Sequence, residues 1–230
     1  MTAPRTTAAT PATTLSTSTS TTRVAAAHGG PAPDAAGTRL RSGPPGTVVD
    51  ARDVPGLGRL TTTVLDPDDD LDTVHAWVTQ PHTGFWGLGG LTRAELRDTY
   101  AFVDALPSHH AFVLRRDGLP VALLQTYEPE HDPVGAHYAV EPGDVGVHFL
   151  LGARGRPTPR FSTLLMGAVL DALLEPPAAR RVVIEPDVRN ERAVARAVRQ
   201  GFTLGPVVDL PDKRAQLAFL GREQWASLRG

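Results

Sequence analysis

Three short stretches carry the side chains with which this chain could do chemistry. In residues 144–151 (DVGVHFLL) a single imidazole, His148, interrupts an apolar run. An alternating strand puts Gly146, His148 and Leu150 on one face and Val147 and Phe149 on the other. An imidazole titrates near pH ~6.5, so His148 could take up a proton at working pH. A hydrogen-bonded core histidine would read the same way. Residues 181–187 (RVVIEPD) end a second apolar strand in Glu185 and Asp187. Strand ends facing a crevice are where α/β proteins hold ligands; the same Glu-Pro-Asp text also suits a turn before a cap. The third stretch, residues 151–160 (LGARGRPTPR), precedes a helical pattern. A helix N-terminus attracts anions, Arg154, Arg156 and Arg160 add positive charge, and Gly152 and Gly155 permit close backbone approach, which suits a pyrophosphate. No Gly-Lys-Ser/Thr and no GxGxxG follows, so neither a Walker loop nor a dinucleotide fingerprint is present. A basic surface loop has the same composition.

Two further groups are polar or aromatic. His75, Trp77, His82 and Trp86 lie in residues 75–86 (HAWVTQPHTGFW). Polar tips on flat apolar rings suit a small-molecule pocket, with core packing favoured for Trp77. Glu128 and Asp132 follow another strand, near His131 and His137. The eight histidines match no HExxH or other metal-ligand spacing, so no metal is expected.

The elements that must position these groups are legible from pattern. Residues 59–65 read as a strand and residues 66–79 as a helix with acids in its first turn. Thr92 and Glu95 form a capping box opening a helix to about residue 106. Residues 111–115 and 121–127 flank Asp117-Gly118 as a hairpin. Residues 144–151 are a strand, and apolar residues from Phe161 to Leu173 recur at helical spacing as one buried stripe. Residues 181–185 are a strand; Asn190 caps a helix to Gln200, stopped by Gly201. Residues 202–210 and 214–220 close the chain as a hairpin. The order predicts an α/β or α+β fold with a mostly antiparallel sheet and one parallel pair, formed by the strands at 145–151 and 181–185.

Composition bounds the rest. The chain has 230 residues, 41% hydrophobic and 21% charged, with a formal net charge of -2. That balance offers no footprint for nucleic acid or an anionic membrane. No apolar run approaches the ~20 residues of a membrane span. There is no cysteine, which excludes disulfides, thiolate zinc sites and cysteine nucleophiles. Residues 1–30 contain ten Thr, seven Ala and three Ser, too little apolar surface to offset ordering. Residues 1–46 are therefore expected to be a disordered tail and Pro/Gly linker, and residues 47–230 one domain. The tail lacks both an amphipathic period and an apolar signal core, so a cytoplasmic location is expected.

Taken together, the residues resemble the GNAT superfamily of N-acetyltransferases, and in their text its siderophore-biosynthesis branch, which acylates N-hydroxylysine, lysine or related hydroxylated diamines. The matching pieces are His75-Ala-Trp77, Gln80-Pro-His82, Phe85-Trp86, Tyr127-Glu128 with Asp132-Pro133, Pro142-Gly-Asp144 with Gly146-Val-His148, residues 181–190 (RVVIEPDVRN), Gly201-Phe202 and Lys213. They span roughly residues 58–220.

The resemblance implies a twisted mixed sheet with a splayed central parallel pair and helices on both faces. It also implies acyl transfer from an acyl-coenzyme A to the nitrogen of a small amine or hydroxylamine. By motif, His148 and Asp187 match the family's catalytic histidine and aspartate, Asp187 orienting the imidazole. The pyrophosphate loop maps onto residues 154–162, so Arg154, Gly155, Arg156, Thr158, Arg160, Phe161 and Ser162 are the expected coenzyme contacts, with Leu150, Leu151 and Asn190. Here the loop departs from the superfamily pattern, because Pro157 and Pro159 donate no amide. His82, Trp86, Glu128, Asp132 and Glu185 are the expected acceptor contacts. The acyl group, the particular amine and the oligomeric state are not legible.

Overall fold

The computed structural model describes residues 38–153, 155 and 157–230. The expectation of a disordered tail falls largely on residues outside this set, as do those for Arg154 and Arg156. Within residues 38–46, grouped with the linker above, Leu40 is buried in the main core, and the Gly46 amide donates to the Val64 carbonyl.

One eight-stranded sheet organises the molecule. Its strands are β1 (Val48–Val54), β2 (Gly58–Val64), β3 (His109–Arg116), β4 (Leu119–Tyr127), β5 (Asp144–Leu151), β6 (Arg181–Ile184), β7 (Thr203–Asp209) and β8 (Arg214–Gly221), in the order β1-β2-β3-β4-β5-β6-β8-β7. Every pairing is antiparallel except β5 with β6. A parallel neighbour requires a crossover, and helix α3 (Phe161–Leu173) supplies it. The expected strand at 144–151 and the parallel pair are thus present.

Period-two alternation splits the core into two layers. Phe112, Leu114, Leu124 and Val147 face α3, α4 (Glu191–Arg199) and α5 (Arg222–Arg229), meeting Leu165, Ala168, Ala197 and Trp225. Their strand neighbours Ala111, Val113, Leu123 and Leu150 face α1 (Leu71–Val78) and α2 (Arg93–Asp104), meeting Val74, Trp77, Leu96 and Val103. The Thr92–Glu95 capping box opens α2 as expected, and the Asn190 side chain accepts from the Ala193 amide at the start of α4.

Three expectations needed revision. Helix α1 begins at Leu71, because Asp66 holds the amides of Asp68 and Asp69 in a turn that precludes helix there. Strand β1 was not anticipated, since VVDARDV lies half-exposed along a sheet edge and shows no apolar alternation. Nor was α5, whose polar surface carries one buried anchor, Trp225.

The ladder between β5 and β6 is short. It pairs Asp144 with Arg181, Val145 with Val182 and Gly146 with Val183, while β5 continues to Leu151 and β6 stops at Ile184. Beyond Gly146 the two strands part, and His148 through Leu151 keep only β4 as a neighbour.

Candidate active site

Where the sheet opens, a cleft of about 330 Å³ reaches both of its faces. On one side it is walled by Met166, Leu170 and Leu173 of α3, Ala193 and Ala197 of α4, and Phe202. These α3 residues form a second apolar stripe beside the one that packs on the sheet. On the other side lie His82, Trp86, Val103, His109, Tyr127 and Asp132. His148 and Glu185 sit at the junction.

The register explains that junction. Gly146 opposes Val183, so two residues further along each strand His148 stands beside Glu185. The His148 Nε2 nitrogen is hydrogen-bonded to Glu185 Oε1. Nδ1 lies 3.2 Å from Gln125 Oε1 on β4, the cross-strand partner of His148. The imidazole is 35% exposed and the glutamate only 3%. Glu185 also accepts from the Tyr127 hydroxyl at 2.7 Å and the Lys213 ammonium at 3.2 Å. Burial opposes its charge, yet the positive charges of His148 and Lys213 and the bonds from His148 and Tyr127 outweigh that and hold its pKa down to about 2. Burial, with the Glu185 charge beside it, pushes the Tyr127 phenol well above its ordinary range, so Tyr127 is a fixed donor at neutral pH.

Tyr127 reaches Glu185 by crossing Gly146. A Cβ at Gly146 would lie 2.1 Å from Tyr127 Cε2, so the glycine makes room for the ring. The same logic holds at Gly152, where a Cβ would meet the Trp77 indole at 2.0 Å. Gly152 thus makes room for the buried Trp77.

Asp187 does not take the orienting position expected for it. Its carboxylate accepts from the Arg189 guanidinium (2.9 Å) and the Arg189 amide (2.8 Å), and that bonding lowers its pKa. Past Ile184 the chain leaves the β5 ladder, and Asp187 bridges to Ala215 on the β8 side. It still lines the cleft with Asn190. Among the acceptor residues, His82, Trp86 and Asp132 line the cleft, the Trp86 ring standing edge-on to His148 at 6.1 Å. Glu128 is absent from the cleft wall; it pairs with Arg39 at 3.4 Å and His131 at 3.6 Å. Glu185 lines the cleft as well, bonded to His148.

The coenzyme contacts divide similarly. Leu150 is buried in the α1/α2 layer, Leu151 packs against the α3 layer, and Phe161 is a core residue beneath the Arg116 guanidinium, 5.4 Å from its ring. The Thr158 hydroxyl accepts from Arg116 at 2.7 Å, tying the loop to β3. Gly155 and Arg160 adopt left-handed backbone, and the Arg160 carbonyl accepts the Thr163 and Leu164 amides as α3 begins, with Ser162 in its first turn. Gln125, Tyr127 and His109 went unrecognised in the sequence as parts of the site. Period two along β4 was the available signal for the first two, and Lys213 stood out as the single lysine among 23 basic residues.

The sheet is mixed and opens at its one parallel pair, with a polar histidine at the opening and an apolar channel beside it. A family model described as an acetyltransferase (GNAT) domain matches residues 66–210, and the chain belongs to that family. Among curated proteins it is 28% identical to N(6)-hydroxylysine O-acetyltransferase of Escherichia coli, over 72% of this chain and 53% of that protein. It is 26% identical to the lysine N-acyltransferase MbtK of Mycobacterium sp. (strain MCS), over 68% and 65%. N-hydroxyputrescine acetyltransferase of Acinetobacter baumannii is 28% identical, over 68% and 74%. The chain therefore spans about half the length of the first of these relatives and about two thirds of the second. Among solved structures, the aminoglycoside acetyltransferase AAC(6')-Ib in complex with coenzyme A aligns with a TM-score of 0.65 and 22% identity, over 74% of this chain and 99% of that one, a likeness of fold. No helix among the described residues is long and apolar enough to cross a membrane.

Proposed function

We propose that this protein is an acyl-coenzyme A-dependent N-acyltransferase of siderophore biosynthesis, acting in the cytoplasm on the nitrogen of an N-hydroxylated lysine or diamine to form a hydroxamate. One observation carries the reading: the imidazole of His148, locked by Glu185, stands in the gap through which the cleft joins the two sheet faces. The relatives named for hydroxylysine and hydroxyputrescine support the acceptor class.

The residues present fit the co-substrate. The stripe of Met166, Leu170 and Leu173 opposite Ala193 and Ala197 suits a long, thin apolar arm. The turn into α3 lies at the C-terminal end of β5, where a helix N-terminus favours a pyrophosphate. When bound, acyl-coenzyme A supplies an activated carbonyl. Residues 148–151 pair with β4 but lack β6 as a neighbour, and in this reading the alternate main-chain amides that point away from β4 donate to the carbonyl oxygen. One such donor is worth about 10²–10³ in rate.

The acceptor nitrogen bonds to the acyl carbon, the carbon–sulfur bond breaks, and the nitrogen gives up a proton. His148 Nε2 is committed to Glu185, so the neutral imidazole takes that proton at Nδ1 once the acceptor has displaced the Gln125 amide oxygen from it. Asp187, held by Arg189, lines the cleft on the β8 side.

The test is a panel of acetyl-, succinyl- and malonyl-coenzyme A against N-hydroxylated and plain diamines and lysines, read by mass spectrometry. Hydroxamate products with stoichiometric thiol release are expected. Turnover confined to plain amines, polyamines or aminoglycosides would overturn the siderophore assignment.

A further inference from the structure

At the end of the cleft away from α3 and α4, the buried His109 faces the partly exposed Asp132. His109 is 8% exposed, its Nδ1 is 2.9 Å from Ser108 Oγ, and its Nε2 has no hydrogen-bond partner. Asp132 Oδ2 is 3.7 Å from that nitrogen, too far for a hydrogen bond. Asp132 Oδ1 is occupied by the Val134 amide at 2.9 Å, so Oδ2 is the oxygen left for a ligand. Both residues line the cleft that contains His148.

A proton on His109 Nε2 would draw the ring onto the carboxylate. The gap suits the tautomer that donates from Nδ1 to Ser108, which leaves Nε2 an acceptor. Two acceptors, one of them charged, then flank a single space. A primary ammonium, with three donors and a positive charge, satisfies both.

The spacing relates this space to the site of transfer. The His109 ring stacks on Tyr127 at 5.7 Å, and Tyr127 lies 5.1 Å from the His148 ring. One phenol separates the two imidazoles, a span that the polymethylene chain of a short diamine covers. An amino-acid acceptor would also bring a carboxylate. Among the described residues, the lysine and arginine that line the cleft are Lys213, whose ammonium already serves Glu185, and Arg196, which lies on α4.

We infer that His109 and Asp132 form the subsite for the distal ammonium of the acceptor, which makes the acceptor a mono-N-hydroxylated diamine without a carboxylate in preference to a hydroxylated amino acid. The inference rests on the transfer reading above for the proximal end of that molecule.

The test uses the full chain with N-hydroxycadaverine, N6-hydroxylysine and N-pentylhydroxylamine as acceptors. Loss of a charge-assisted hydrogen bond corresponds to roughly ten- to a hundredfold. The wild type is expected to favour the hydroxylated diamine over N-pentylhydroxylamine by that factor in kcat/KM, and to use N6-hydroxylysine, which keeps the ammonium but adds an unpaired carboxylate beside Asp132, less well than the diamine. Asp132→Asn keeps the Oδ1 acceptor for Val134 and should collapse the advantage over the alkylhydroxylamine towards unity. Equal or better use of the amino acid, or an advantage that survives Asp132→Asn, overturns the subsite. Calorimetry with plain 1,5-diaminopentane separates this inference from the catalytic one. Binding to the wild type, weakened at least about tenfold in Asp132→Asn and His109→Gln, supports the subsite even if no acceptor is acylated, a result that would instead refute the transfer reading. No binding of the diamine refutes the subsite alone.

Discussion

Replacing Glu185 by Gln tests the electrostatic centre of the site most directly. Glutamine approximates the protonated acid in shape, so the change removes the charge and little else. The carboxyl has a pKa near 4.5 when unperturbed and about 2 in the folded chain. Because the folded value is the lower one, ionisation adds stability above the unfolded pKa, and that stability is lost as pH falls through the folded pKa. The difference corresponds to about 3 kcal/mol at pH 7. About nine tenths of it persists at pH 4.5, less than half at pH 3, and almost none at pH 2. The assay is urea unfolding of the wild type and Glu185→Gln side by side at pH 7, 4.5 and 3. The gap in unfolding free energy should be largest at pH 7 and close as the pH falls. A gap independent of pH, or one that widens in acid, would refute the account of Glu185 as an ionised partner of His148 and Lys213.

Other expectations follow from the same geometry. His148→Ala should lower kcat by about 10²-fold with substrates saturating, the low end for loss of a general base, because a hydroxylamine nitrogen is already largely neutral near pH 7; full activity would remove His148 from the mechanism. In steady-state assays Glu185→Gln should reduce kcat more than Asp187→Asn, since the first carboxylate holds the imidazole and the second holds Arg189; the reverse order would restore Asp187 as the orienting group. Gly146→Ala should cost about 1–3 kcal/mol in thermal or urea unfolding by forcing the Tyr127 ring aside, and Tyr127→Phe, which loses a bond to a charged acceptor, about 1.5–3 kcal/mol. Asp144 is fully buried, with Arg181 donating at 2.7 and 2.8 Å and Tyr138 at 3.0 Å; Asp144→Ala should destabilise by about 1.5–3 kcal/mol in urea, because Arg181 and Tyr138 lose their charged acceptor while Glu141 still holds Arg181 at 2.7 Å.

Much of this protein was decided locally. The Thr92–Glu95 box and the Asn190 cap depend on side chains reaching their own backbone, and the Asp117-Gly118 turn on two residues that accept left-handed backbone, so a few adjacent residues suffice to place them. Period two along DVGVHFLL fixed which face His148 shares with Gly146 and Leu150, and the core layers agree. The same local logic failed for β1 and α5, whose weak apolar patterns leave their pairing to the rest of the fold.

Which carboxylate meets the imidazole was a different kind of question. Glu185 and Asp187 lie two residues apart, and an extended chain presents both to the same side, so alternation cannot choose between them. The choice rests on the long-range register of Gly146 with Val183, which sets Glu185 abreast of His148, and on the departure of the chain toward β8, which carries Asp187 to Arg189. The His109–Asp132 pair likewise comes together from separate elements, the start of β3 and the loop after β4. Spacing along the chain told which groups could act; only the closing of the sheet brought them within bonding distance of one another.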